Sequence, residues 1–250
     1  MQSRRVNLVL SDSELVILIR AIITEKPTYG YRRVCSILKH RIGSNYAVNH
    51  KRVYRIMKQH NLLHMPYGKK PIRVHDGKIV TLRSNARWCS DCLTITCDNG
   101  DRVQVAFALD CCDREVMGYT ATSVGGIDSE MVCDLIANCV VYRFGDSCKL
   151  PHPIQWLTDN GPCYTTRRAV NYARQLGFDV CTTRPYSPES NGMAEAFVKT
   201  FKRDYVWLGD LSCAAAVFKQ LPLWFDDYNE IAPHKGLKML SPRQFLRKVV

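Results

Sequence analysis

The sequence predicts an α/β protein with a mixed five-stranded sheet, helices on the faces of that sheet, and a small all-α domain in front of it. Apolar residues recur with a helical period through the first 65 residues, and the pattern changes to strands after Arg87. Three strands joined by tight turns are then followed by alternating helices and strands. We therefore predict a helix-turn-helix domain, a basic linker, an α/β core and a C-terminal helical extension of the core, over residues 1–65, 66–85, 86–208 and 209–250.

Composition and charge limit the class of protein. The 250 residues are 46% hydrophobic and 23% charged, which are ordinary values for a globular protein. No apolar run approaches the ~18 residues that span a bilayer, and the first residues lack the apolar stretch of a secretory signal. We therefore expect no membrane association and a cytoplasmic location. Residues 1–75 hold fifteen Lys and Arg against three Asp and Glu, whereas residues 76–250 hold twenty of each. This confined surplus predicts a polyanionic partner, of which nucleic acid is the most common.

The twelve cysteines do not form a metal-binding pattern. Cys89 and Cys92 are spaced as a pair, with Cys97 nearby, but no second pair follows at the distance that a zinc site requires. Without an export signal, they are expected to be reduced thiols, mostly buried. The sequence assigns no role to Cys89, Cys92 or Cys97.

Each helix of the first domain has its own end signals. The segment Ser11-Asp-Ser13 is a plausible cap before an apolar set that Pro27 ends, a second helix opens within residues 29–33, and Asn49 caps a third that reaches about His60. On the third helix one arc is basic and the opposite arc carries Val53, Tyr54, Ile56 and Met57. A basic second helix of a helix-turn-helix unit fits a DNA major groove, although a solvated basic face would have the same composition. The predicted DNA-binding residues of the basic arc are Lys51, Arg52, Arg55 and Lys58.

The core is predicted to contain five strands and at least three helices. Asp98-Asn-Gly100 is a hairpin signal between the first two strands. The predicted strands are 88–96, 102–109, 115–121, 154–157 and 178–182, and the predicted helices are 128–142, 166–176 and the one that carries Glu195, with further helical segments closing the chain.

Three carboxylates stand at informative positions of these elements. Asp91 lies within a strand, where an aspartate is disfavoured unless it is paired or ligating. Asp159 follows the strand 154–157, at the edge of the sheet where α/β proteins bind ligands, although Asp-Asn-Gly is also a common turn. Glu195, Lys199 and Lys202 form a polar stripe on a helix whose other face is apolar, and a simple surface Glu–Lys pair is the alternative reading.

Two aspartates and a glutamate offer only hard oxygen ligands, which suit Mg²⁺ or Mn²⁺ rather than Zn²⁺. Three carboxylates brought together repel one another and take up protons unless divalent metal neutralises them. Two such ions about 4 Å apart activate a nucleophile and stabilise the leaving oxygen in phosphodiester displacement. The residues alone therefore predict metal-dependent phosphoryl transfer on nucleic acid.

The same residues carry a family resemblance. Trp88-x-x-Asp91-x-x-Thr94, Thr158-Asp159-Asn160-Gly161 and the segment 187–195 resemble the motifs of retroviral-integrase-type transposases. Thirty-five residues separate Asp159 from Glu195, which matches the D,D-35-E pattern, and Lys202 matches a basic position on the same helix face. Residues 29–33 and 234–242 extend the likeness over nearly the whole chain, most closely to the OrfB transposases of bacterial insertion sequences.

The resemblance implies an RNase H-like core in which Asp91, Asp159 and Glu195 are catalytic residues that bind two Mg²⁺ or Mn²⁺ ions. It implies that water first cuts a strand at the element's end, and that the freed 3′-hydroxyl then attacks a second phosphodiester. Asn160, Lys199 and Lys202 would contact DNA, and Gly161 and the loop 186–192 would shape the site. The implied partners are double-stranded DNA, further copies of the chain assembled on that DNA, and the product of an upstream frame (OrfA), joined in some relatives by frameshifting. The zinc module at the front of retroviral integrases is not visible here.

The sequence therefore predicts a DNA transposase. A nuclease with the same fold is one alternative, which the basic helix-turn-helix disfavours. A non-catalytic DNA-binding regulator is the other, and the complete set of three carboxylates with Lys202 disfavours it.

Overall fold

The computed structural model describes residues 9–43, 46–64, 81–145, 149–182 and 191–249, and the chain divides into two compact units. Residues 1–76 and 230–250 form the first unit, and residues 77–229 form the second. The predicted linker lies largely outside the described residues. The predicted C-terminal extension, 209–250, is divided between the units at residue 230.

The first unit is helical. Its N-terminal part contains α1, α2 and α3, which are Asp12–Glu25, Tyr31–Ile42 and His50–Gln59. Ser11 caps α1 in a capping box with Glu14, and Asn49 caps α3 by accepting a hydrogen bond from the backbone N–H of Arg52, as the sequence predicts. The three helices bury a shared apolar core in which Leu15, Leu38 and Val53 have no exposed surface. A 3₁₀ turn, Lys235–Leu237, and the helix Pro242–Val249 belong to the same unit.

The second unit contains the mixed five-stranded sheet that the sequence predicts. Its strand order is β3-β2-β1-β4-β5, with β1, β2 and β3 antiparallel and with β4 and β5 parallel to β1. The strands are Arg87–Thr96, Arg102–Asp110, Val116–Thr122, Ile154–Thr158 and Phe178–Thr182. The helices, α4 to α8 in chain order, are Ser129–Phe144, Pro162–Thr165, Arg167–Leu176, Gly192–Asp204 and Ala214–Glu230, and Pro242–Val249 of the first unit is α9.

Each face of the sheet has its own apolar core. One face of β1 presents Cys89, Leu93 and Ile95, which share a core with α7 and α8. The other face presents Trp88, which shares a core with α4 and α6. This two-faced burial follows from the alternation of side chains along a strand, and it decides which neighbours each functional side chain meets.

Candidate active site

The register between β1 and β4 sets two aspartates level with each other. The parallel pairing joins Arg87 to Gln155, Trp88 to Trp156 and Cys89 to Leu157. The same offset, continued by two residues, brings Asp91 beside Asp159, which directly follows the last residue of β4. Adjacent strands lie about 4.8 Å apart, so the two carboxylates start from neighbouring positions of the backbone.

Both aspartates lie on the face of the sheet that α7 covers. Asp91 shares the parity of Cys89 and Leu93, and Asp159 shares that of Leu157, all of which belong to the core on the α7 side. Helix α7 is fixed there by Phe197 and Phe201, both buried against aromatic residues of α8. This packing directs Glu195, which lies two residues before Phe197, towards the end of the sheet that carries the aspartates.

Gly161 gives the Asp159 carboxylate its place. The backbone N–H of Gly161 donates to Oδ1 of Asp159 at 3.0 Å. A Cβ atom at position 161 would lie 2.9 Å from that oxygen, closer than Cβ contacts allow. A side chain at position 161 would therefore displace the Asp159 carboxylate, and glycine leaves that carboxylate in place by close approach, since the φ of Gly161 is an ordinary −60°.

The three carboxylates lie close enough together to interact electrostatically. Burial, the largest cause, and the negative charges of Asp159 and Glu195 together raise the pKa of Asp91 to about 6, against the lowering effect of a hydrogen bond from the N–H of Cys92. Among the described residues, however, no three His, Cys, Asp or Glu side chains lie close enough together to hold one metal ion. The three carboxylates thus influence one another electrostatically, but the described side chains do not form a closed set of metal ligands.

The sulfur atoms of Cys92 and Cys163 lie on the face of the sheet opposite to Asp91. Cys92 and Cys163 pack against the core that contains Trp88, and the Sγ of Cys92 is 3.4 Å from the hydroxyl of Tyr164. Cys89 lies on the α7 side, so the Cys89-x-x-Cys92 spacing is divided between two faces and makes no chelating pair. The donors on the α7 face, at the aspartates and Glu195, are oxygen atoms, a set that fits Mg²⁺ or Mn²⁺.

Tyr164 is a buried residue of the site that the sequence did not single out. Its hydroxyl accepts a hydrogen bond from Ser90, the residue before Asp91, at 2.9 Å. This bond joins β1 to the short helix α5, which begins three residues after Asp159. The only sequence signal was the Pro162 start of that helix, because four residues show no periodicity.

The predicted DNA-binding residues of the core lie at the surface. The Nζ of Lys199 is 3.7 Å from Oε2 of Glu195, and this lysine side chain is 80% exposed. Lys202 is half-buried one turn further along α7, and Asn160 is exposed. The exposed ion pair between Glu195 and Lys199 contributes less than about 1 kcal/mol to stability, so both side chains remain available to a ligand.

The predicted basic arc of α3 divides into two kinds of residue. Arg52 donates hydrogen bonds to Asp12 and to the backbone carbonyl of Leu10, and only 20% of its side chain is exposed. Arg55 also pairs with Asp12 but is 56% exposed. Lys51 and Lys58 are exposed. Tyr54, placed by the sequence on the apolar arc, is 42% exposed, because its ring packs edge-on against Tyr31 at the surface.

Protein-family comparisons match most of the chain. The integrase core domain matches residues 82–188, and a second integrase core domain description matches residues 176–242. An HTH-like domain matches residues 11–70, which include α1, α2 and α3.

Curated relatives and solved structures agree with these matches. The chain is 45% identical over 242 residues to the transposase InsD for insertion element IS2A/D/F/H/I/K of Escherichia coli, covering 95% of this chain and 79% of that protein. The transposase InsD for insertion element IS2D of Escherichia coli strain K12 has the same identity and coverage. A chain of the simian T-cell lymphotropic virus intasome in complex with PP2A regulatory subunit B56 gamma is similar in fold, with a TM-score of 0.54, 17% identity, and coverage of 91% of this chain and 73% of that one.

Proposed function

Because the chain belongs to the insertion-sequence transposases with an integrase core, we propose that it cuts and joins DNA strands with Asp91, Asp159 and Glu195 as its catalytic residues. The observation that carries this proposal is the register that sets Asp91 level with Asp159, on the face of the sheet covered by the helix of Glu195. The RNase H-like order of the five strands supports it.

The three carboxylates would bind two divalent metal ions, Mg²⁺ or Mn²⁺. When bound, such ions lower the pKa of an attacking water or hydroxyl and stabilise charge on the leaving oxygen. Asp91 is half-buried beside two other acids, and a cation would offset both the repulsion and the loss of hydration that raise its pKa. Gly161 would keep the Asp159 carboxylate at the ligating edge.

Exposed basic residues would hold the DNA. Lys199 and Lys202 extend from Glu195 along one stripe of α7, where they would contact phosphates near the scissile bond. Lys51, Arg55 and Lys58 of α3 would contact the duplex, and Asn160 would lie beside the bound strand. Water would open the first phosphodiester, and the 3′-hydroxyl so freed would attack the second.

The chain would act with partners. We propose that several copies assemble on double-stranded DNA at the element's ends, and that an upstream-frame OrfA product supplies a further DNA-binding segment. Among the described residues no helix has the length and apolarity to cross a bilayer. Cytoplasmic action on DNA is part of the same proposal.

A cleavage and joining assay tests this function. The substrate is labelled duplex DNA from the ends that flank the gene, and the reaction contains the parent chain with Mg²⁺, Mn²⁺ or EDTA. We expect metal-dependent nicking followed by joining of the 3′ end, with at least a thousandfold loss in Asp159→Asn and Glu195→Gln, because each removes a metal ligand.

The controls separate the alternatives. Asp179→Asn, at the exposed carboxylate of β5, keeps the fold and should keep activity. Cutting without joining, at unrelated sequences, would establish a nuclease instead. DNA binding without either reaction, also in the presence of the OrfA product, would establish a regulator.

A further inference from the structure

The first unit contains a basic groove. The residues that line this groove are distant in sequence from the predicted site residues of the core. Its volume is about 690 Å³, and it lies between α2, the segment after α2, and the C-terminal residues 238–248. None of the described residues that line it is Asp or Glu. The Lys and Arg residues that line it, hereafter the groove cations, are Arg32, Lys39, Lys238 and Lys248, and His40 and His50 also line it.

Within the described part of the chain, the groove cations differ from two neighbouring arginines of the C-terminal segment, which have an acidic partner. Arg243 and Arg247 both pair with Glu230, at 3.0 Å. No described carboxylate comes within ion-pair distance of Lys39, Lys238 or Lys248, and all three are exposed. The groove therefore concentrates positive charge that no described carboxylate neutralises, which favours an anionic ligand.

One wall of the groove is a strained turn. Lys238 and Met239 have φ of +55° and +68°, in the left-handed region that residues other than glycine rarely adopt. The turn is held by a hydrogen bond of 2.7 Å from the Ser36 hydroxyl of α2 to the Met239 carbonyl. It is also held by one of 2.8 Å from the Met239 N–H to the His234 carbonyl. These bonds keep Lys238 at the groove, opposite α2.

The groove continues into the exposed face of α3. Arg32 and His50 line the groove, and both also contact Tyr31, whose ring lies against Tyr54 of α3. An unbroken surface therefore runs from the groove to the predicted DNA-binding helix. A ligand that follows both parts must be an extended polyanion rather than a small anion.

We propose that this groove binds the phosphate backbone of duplex DNA, so that the C-terminal residues 238–248 form one wall of the DNA-binding surface of the first unit. The inference rests on the proposed function for its ligand and adds to it a second contact beside α3. Lysines in such a groove contact the phosphates of DNA and not its bases. The contact therefore strengthens binding to end sequences and unrelated sequences alike.

Salt-dependent binding tests this groove. Binding of the full chain to labelled duplex DNA is measured in EDTA, between about 50 and 200 mM salt, for the parent, Lys39→Gln, Lys238→Gln and the double variant. Gln removes the charge but keeps most of the side chain, and it keeps the backbone strain of position 238. We expect the slope of log K against log salt to become shallower by about 0.9 for each lysine, with the affinity of the double variant falling about tenfold or more.

Two further variants make the result specific. Arg20→Gln removes an exposed cation of α1 that does not line the groove, and it should change neither quantity. Ser36→Ala leaves every charge in place but releases the strained turn, so it should weaken binding about threefold or more with the salt slope reduced towards that of Lys238→Gln. Circular dichroism confirms that each variant is folded.

The outcomes distinguish this inference from the function on which it rests. If the parent cuts and joins DNA while both lysine variants behave as Arg20→Gln does, the groove does not bind DNA and the function stands. If the lysine variants lose binding to a polyglutamate peptide and keep binding to DNA, the groove serves an acidic partner and the inference is wrong. If the parent binds no DNA in EDTA, the groove inference falls with it, whereas the catalytic proposal is decided by the metal-dependent assay.

Discussion

Arg143 is the cation of a buried group of acids in the second unit. It donates to Asp113 and to Glu115 at 3.0 Å, and its NH2 lies 3.9 Å from Asp110. The arginine side chain is 10% exposed, and Asp110 and Asp113 have no exposed side-chain surface. Burial, and then the charge of Asp113, raises the pKa of Asp110 to about 6. Carboxylates that are buried this deeply destabilise the folded protein if the arginine that pairs with them is removed.

We expect Arg143→Met to lower the free energy of unfolding by about 3–5 kcal/mol at pH 7, because it leaves buried carboxylates unpaired. The folded protein holds the Asp110 proton more tightly than the unfolded chain does, since the folded pKa lies above the usual 3.8. This group therefore lowers stability as pH rises from about 4 to 6. Denaturant unfolding should show a smaller loss at pH 5 than at pH 7.

The matched control is Arg168→Met. Arg168 pairs with Glu130 at the surface, with both side chains more than 60% exposed, so its loss should cost less than about 1 kcal/mol. Equal effects of the two substitutions, or an effect of Arg143→Met that does not change with pH, would contradict this account.

Single residues differ in how far the sequence predicts them. Asp91, Asp159 and Glu195 were predicted because their motif spacing is local and specific, and their catalytic roles stay a prediction. The sequence assigned no role to the acids around Arg143, which lie between the predicted strand 102–109 and the start of the strand 115–121. Their cation lies about thirty residues further along the chain, so no local pattern joins it to them.

Helix α3 shows the limit of a helical wheel. The wheel groups four cations in one arc, but it cannot show that Asp12 of a neighbouring helix takes up Arg52 and Arg55. The wheel also cannot show that Tyr31 draws Tyr54 to the surface. Tertiary contacts, which depend on residues forty positions away, decide which side chains remain available to a ligand.

We expect different losses from different cations of α3. Arg52→Ala should lower the free energy of unfolding by about 2 kcal/mol, because it removes charged hydrogen bonds to Asp12 and to the Leu10 carbonyl. Lys51→Gln with Lys58→Gln should leave stability within about 0.5 kcal/mol and weaken DNA binding. Thermal unfolding and a binding titration measure both. If Arg52→Ala instead weakened binding at unchanged stability, Arg52 would be a DNA contact.

Element bounds were predicted within two residues for α4, α6 and all five strands, because alternation and helical period are strong there. Helix α5 was missed because four residues carry no period. The parallel pairing of β1 with β4 was also not predicted, since the pairing partner of a parallel strand lies far away in sequence. That pairing is what sets Asp91 beside Asp159.

At the scale of the whole molecule, the chain leaves the first unit and returns to it. The first unit contains residues 1–76 and 230–250, with the complete sheet between them in sequence. The predicted single extension, 209–250, could not anticipate this, because helical periodicity says nothing about where a helix packs. The returning segment is tied to α2 by the bond between Ser36 and Met239.

We expect a chain that ends after Glu230 to lose order in the first unit only. Hydrogen exchange should show faster exchange, by about tenfold or more, for amides of α2, which contacts the deleted segment through Ser36. Amides of β1, β2 and β4 should exchange as in the parent, since their core lies within residues 77–229. Equal loosening of the sheet would mean that residues 231–250 stabilise the second unit as well.

The return of the chain also has a consequence in time. A ribosome makes α1, α2 and α3 first and residues 230–250 after the whole sheet. The groove of the first unit therefore gains the wall formed by residues 238–248 only when residues 230–250 emerge. A nascent chain can therefore form its three N-terminal helices and its sheet before the turn at Lys238 exists. A premature stop codon late in the gene would then yield a protein that keeps Asp91, Asp159 and Glu195 but lacks the C-terminal wall of the groove that we propose binds DNA.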